Sequence, residues 1–192
     1  RRSLDRPGGR GMRTRRSLDR PQRSTDCSID RVWPSNPPRV KSFSYRGLHR
    51  YLITLSASYR ARHFAHAGHA RALSSQIPPF FAARCFEVLA YCLMPDHLHL
   101  VLEGTSDDAD LREAVRAWKQ RTGYDWKQRT GVRLWQPGYH DRVLREGDDP
   151  QLVVRYVLHN PVRAGLVRTA GEYPWWGCLR YALAEVQEDA GR

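Results

Sequence analysis

The stretch Phe86–Gly104 (FEVLAYCLMPDHLHLVLEG) leaves this chain few choices of fold. Two apolar, β-prone runs, Phe86–Met94 and Leu98–Glu103, are separated by Pro95-Asp96, a turn signal, so the spacing predicts an antiparallel hairpin. Side chains two apart on a strand share a face, so His97 and His99 aim at one spot while Leu98, Leu100 and Leu102 enter a core behind them. Two imidazoles on an apolar backing make a rigid platform for a metal ion.

Around this hairpin the pattern continues. Arg50–Ser56 (RYLITLS) reads as a first strand, and a helix over 67–84 must break or kink at Pro78-Pro79. Asp108–Arg121 has helical spacing and acidic residues in its first turn, with Gly123 and Gly131 as punctuation after it. Tyr139–Arg145 reads as a fourth strand or the start of a helix, with the strand preferred. Asp148–His159 reads as a helix capped by Asp148 or Asp149, started by Pro150 and ended at Asn160-Pro161. Strand, helix, strand pair, helix, strand, helix describes an α+β protein with an antiparallel sheet.

Charge divides the chain. Residues 1–43 carry 12 Lys/Arg against 4 Asp/Glu, whereas the remaining 149 residues carry 20 against 16. The expected organisation is a basic, disordered extension over 1–43, one domain over 44–182 and a short tail over 183–192. The extension could hold nucleic acid nonspecifically, so net charge alone says little about function. No apolar run approaches membrane-spanning length, and the four cysteines form no CxxC pair, as expected of reduced cytosolic thiols. RRSLDRP occurs twice in the extension and WKQRTG twice inside the domain, at 118–123 and 126–131; neither repeat has the length of a solenoid unit.

The last helix places Tyr156 and Asn160 one turn apart on one face. A tyrosine can act as a covalent nucleophile against a phosphorus polarised by a metal, and an asparagine carbonyl can complete a shell begun by two histidines. Two nitrogens, one amide oxygen and open positions for phosphate oxygens suit Mg²⁺ or Mn²⁺ better than a closed zinc site.

Three blocks, LAYCLMPDHLHLVLEG, LWQPGYHDRVLR and RYVLHNPVRAGLV, together resemble the REP-associated tyrosine transposases. These are single-tyrosine members of the HUH endonuclease superfamily, related to the small insertion-sequence transposases. The resemblance spans roughly 45–181 and implies a ferredoxin-like antiparallel sheet flanked by helices. It implies that His97 and His99 are the paired metal ligands and Asn160 a third. Tyr156 would form a 5′-phosphotyrosine and leave a free 3′-OH. The implied partner is single-stranded DNA carrying hairpins, REP-like palindromes, met by a monomer or a homodimer in the bacterial cytoplasm at the nucleoid. The chain departs from the family pattern at Pro78-Pro79, at the WKQRTG duplication and in its extension.

Other candidates are weaker. Lys119, Arg121, Lys127 and Arg129 could form a basic helical face for the DNA backbone, and Arg142, Arg145, Arg155 and Arg163 lie nearer the catalytic blocks. Trp118, Trp126 and Trp135 are expected to be core rather than base-stacking platforms, and His63, His66 and His69 do not share a helical face. His140 and His159 are read as surface or packing residues; Asp96 and Glu103 could help to position a metal or base, although Asp96 fits its turn without that role. A histidine-triad hydrolase would need a third alternating histidine where Val101 stands. The remaining alternative is a domesticated hairpin-binding protein without cleavage activity.

Overall fold

The computed structural model describes residues 43–181; the expected extension, apart from Phe43, and the expected tail fall outside them. Strand β1 (Arg50–Ser56) alternates strictly, with Tyr51, Ile53 and Leu55 fully buried on one face. Helices α1 (Ala67–Ser74) and α2 (Ile77–Ala82) replace the single helix expected over 67–84. Pro78 and Pro79 lie in the first turn of α2, where a missing N–H breaks no helical bond. Phe80 and Phe81 then reach Trp118, with ring centroids at 5.0 and 5.6 Å.

Strands β2 (Phe86–Met94) and β3 (His97–Gly104) form the expected antiparallel hairpin around Pro95-Asp96, with a register shift between Val88 and Ala90. Helix α3 runs over Leu111–Thr130, well past the expected end. Asp110 caps it by accepting from the Glu113 N–H (3.0 Å), and Gly131 ends it with φ +74°. Gly123 does not punctuate the helix, because Trp126 beyond it is buried in the core and holds the next two turns in place. Strand β4 (His140–Leu144) matches the expectation and pairs antiparallel with β1.

Helix α4 (Pro150–Leu158) starts with Asp149 accepting from the Gln151 N–H (2.8 Å). Asn160-Pro161 does not send the chain out of helix. His159 keeps helical torsions and a short helix, α5 (Asn160–Arg163), follows at once with the proline in its first turn. A fifth strand, β5 (Trp176–Cys178), which nothing in the sequence pattern announces, adds to the outer edge of β2.

The sheet order is β4-β1-β3-β2-β5, antiparallel throughout: the ferredoxin-like order extended by one strand. Tyr51, Ile53, Leu55, Leu98, Leu100 and Leu102 meet α1, α2 and α3 in one core. Helix α4 packs on β2 and β3, burying Val153, Val154, Val157 and Leu158. The α+β fold read from the sequence is the fold observed.

Candidate active site

Register places the two histidines in a row of side chains across the sheet. Thr54 of β1 lies opposite His99 on one side and His140 of β4 on the other, and Ser56 lies opposite His97. The two rings stand edge to face at 89°, with Nε2 of His97 3.0 Å from Nε2 of His99. Their outer nitrogens are anchored: His97 Nδ1 to the Asp96 carboxylate at 2.6 Å, His99 Nδ1 to the Thr54 hydroxyl at 2.9 Å.

Burial sets the protonation state. His99 is held well below the ordinary histidine value by burial, by its neighbour His97, and by the charges of Arg163 and Arg60. His97 is lowered by burial, partly offset by its hydrogen bond to Asp96. Both rings are therefore neutral near pH 7. A carboxylate can only accept, so His97 donates Nδ1–H to Asp96 and turns a lone pair on Nε2 towards His99. The 3.0 Å contact is then filled by His99 Nε2–H, while the Thr54 hydroxyl donates to Nδ1.

A cleft of about 420 Å³ opens over this pair, lined by Thr54, Ser56, Arg60, His97, His99, Gln136 and His140. Arg60 reaches Asp96 at 3.4 Å. Both Arg60 and its neighbour Tyr59 have φ of +55°, a left-handed conformation uncommon for residues with side chains. Gln136 is fixed from two sides: its N–H donates to the Ser56 carbonyl (2.9 Å), and its own carbonyl accepts from Lys119 Nζ (2.7 Å). His140, expected to be a surface or packing residue, forms part of the cleft wall.

Tyr156, Asn160 and Arg163 line up along one edge of α4 and α5, next to the stripe that α4 buries on the sheet. The Arg163 guanidinium lies 3.8 Å from the centre of the Tyr156 ring and donates to Asn160 Oδ1 at 2.8 Å. The Asn160 amide donates to the carbonyls of Tyr156 and Val157, both at 3.1 Å. Asn160 thus closes the end of α4, with its oxygen already accepting one bond from Arg163. Arg163 sits on the tyrosine ring, and its charge helps to hold His99 low, although Tyr156, Asn160 and Arg163 are not among the residues that line the cleft over the histidines.

The basic residues divide. Lys119 is not an open phosphate contact, because its ammonium is spent on the carbonyls of Gln136 and Gly138 and half-buried beneath them. Arg142 is held by Asp148 at 2.8 Å. Arg121, Lys127 and Arg129 are exposed on α3, Arg129 donating to the Asp125 carbonyl at 3.1 Å. Arg145 is exposed after β4, and Arg155 is half-buried on α4. Trp118, Trp126 and Trp135 are buried core residues. His63 and His69 pack against Trp126, with ring centroids at 4.8 and 4.7 Å. Among the described residues, no three His, Cys, Asp or Glu side chains gather to hold a metal. Asp96 holds His97 as well as shaping its turn, and Thr54, Arg60 and Gln136 join the cleft without any mark in the sequence pattern. Asp96 had a local signal, adjacency to His97; the other three reach the site only through tertiary pairing.

The same antiparallel-sheet fold occurs in known proteins. Residues 46–160 match the family model described as IS200-like transposase, and the chain belongs to that family. It is 27% identical over 93 residues to the REP-associated tyrosine transposase of Escherichia coli strain K12, covering 48% of this chain and 54% of that protein. It is 26% identical over 120 residues to a Haemophilus influenzae protein assigned to the same group, covering 55% of this chain and 67% of the other. The chain therefore spans about half the length of one relative and two thirds of the other. Its fold matches the solved structure of a REP-associated tyrosine transposase bound to a REP hairpin, with a TM-score of 0.59 and 21% identity over 73% of this chain and 82% of that one. No helix among the described residues is long and apolar enough to cross a membrane.

Proposed function

We propose that this protein cuts and rejoins single-stranded DNA at hairpin-forming, REP-like palindromes, with Tyr156 as nucleophile. The observation that carries this reading is the histidine pair. Two neutral rings have their inner nitrogens 3.0 Å apart and their outer nitrogens anchored, on the sheet that the tyrosine helix covers. The family membership and the hairpin bound to the structural neighbour support the same substrate class.

The donor set fits Mg²⁺ or Mn²⁺. The two inner imidazole nitrogens, 3.0 Å apart, could turn their lone pairs towards one ion. Freeing both inner lone pairs requires only that His99 carry its proton on Nδ1, where the Thr54 hydroxyl can turn and accept it. His97 and His99 would hold the ion, and the second lone pair of Asn160 Oδ1 would serve as a third ligand. The ion would supply Lewis-acid polarisation of the phosphodiester.

The rest is work for the chain itself. The Tyr156 phenol oxygen bonds to phosphorus, the 3′-oxygen leaves and takes up a proton, and a 5′-phosphotyrosine remains beside a free 3′-OH. Reversal with another 3′-OH reseals a strand without external energy. Arg163 fixes the tyrosine ring and brings positive charge to the phosphate. Action on chromosomal hairpins would place the protein at the nucleoid.

Incubation with Mn²⁺ and a labelled hairpin oligonucleotide should give a covalent protein–DNA adduct, and Tyr156→Phe should abolish it. An adduct that persists in that variant assigns the nucleophile elsewhere. Hairpin binding without any wild-type adduct would mark a binding protein that does not cleave.

A further inference from the structure

A second concavity, about 730 Å³, lies between α3 and the segment 133–139, and its wall shares Gln136 with the cleft over the histidines. We propose that this groove carries the unpaired DNA strand that continues from the scissile phosphate, an inference that rests on the function proposed above.

The groove has the two chemistries an unpaired strand needs. Tyr124 lines it with 66% of its surface exposed, an aromatic face on which a base can stack. Exposed Lys127 and Arg133 line it too, offering charge to the phosphates between bases. Other cations nearby are committed: Arg116 to Glu113 at 2.8 Å, and Lys119 to the carbonyls of Gln136 and Gly138. A duplex would offer phosphates but hide its base faces, so the exposed tyrosine favours a single strand.

The tandem repeat supplies two lysines to this groove in different roles. Lys119 and Lys127 are the same position in two copies of WKQRTG. The first copy pins the loop and so holds Gln136 at the junction of groove and cleft. The second repeats the ammonium two turns further along α3, where it faces the groove. One lysine is an anchor, and its counterpart is left to meet a phosphate.

The test measures binding of full-length protein, in chelator to prevent cleavage, to a blunt hairpin and to the same hairpin with an unpaired extension. The extension should raise affinity. Tyr124→Ala should remove roughly fivefold or more of that gain. Lys127→Gln and Arg133→Gln should each lower the slope of log affinity against log salt by about 0.7. The blunt hairpin should bind all variants like the wild type, and thermal melting confirms that these surface variants fold. An extension that adds nothing, a gain the variants retain, or an equal loss on the blunt hairpin each overturns the groove assignment. None of these results bears on adduct formation by Tyr156, so the two proposals can fail separately.

Discussion

Thr54 sits opposite His99 and engages its outer nitrogen at 2.9 Å, so it can be altered without touching either histidine. Thr54→Val leaves a buried ring nitrogen unpaired, which should cost about 1–3 kcal/mol in chemical denaturation. Under the proposed function it should also lower adduct formation by roughly 10- to 100-fold, as loss of a partner behind a metal ligand does. Thr54→Ser should recover most of both, which a purely steric role would not require. The histidines themselves were legible because their spacing is local: two residues on a strand settle which way both point. Thr54 was not, since a lone hydroxyl in RYLITLS acquires meaning only from the register of β1 against β3. Arg60 and Gln136 were hidden for the same reason, whereas the cap that Asn160 places on α4 was legible from its position before Pro161.

Helix α3 carries one hexapeptide twice with two outcomes. In each copy the threonine hydroxyl donates to the carbonyl four residues back, Thr122 to Trp118 (2.7 Å) and Thr130 to Trp126 (2.9 Å). The glycine that follows differs: Gly123 lies inside the helix, whereas Gly131 has φ of +74° and closes it. An alanine methyl at Gly123 would meet Trp135 at an ordinary 3.8 Å, so Gly123→Ala should stabilise the protein by about 0.5–1 kcal/mol. Gly131→Ala should destabilise it by about 1–2 kcal/mol, because its left-handed backbone is strained for a residue with a side chain. Denaturation of the two single variants checks the opposite signs. The strands of the hairpin and β1 were legible from alternation. The length of α3 was not, since nothing in Gly123 reveals that Trp126 will be buried beyond it, and β5 offers too few residues to show a period.

For the whole molecule, acid should be damaging. Burial lowers His63, His97, His99 and His159 from 6.5, with His69 adding to the shift at His63, His97, Arg163 and Arg60 at His99, and Arg155 and Arg163 at His159; at His97, Asp96 partly offsets it. Below about pH 6.5 the unfolded chain takes up protons that the folded one resists, so stability is full above that pH and falls as pH drops through it. Thermal melts in chelator between about pH 8 and about pH 5 should show the loss, and His63→Phe should lessen it by removing one such group without entering the cleft. A flat profile would mean that these rings are protonated when folded. At the rim of that cleft, Tyr59 is 95% exposed and shares a left-handed backbone with Arg60, an arrangement that costs of order 1–3 kcal/mol at each residue. Glycine would spare that cost at either position, yet the bend is what delivers Arg60 to Asp96. Selection for heat resistance alone would therefore erode this corner first, yielding a sturdier protein in which Asp96, the anchor of the His97 ring, has lost its arginine.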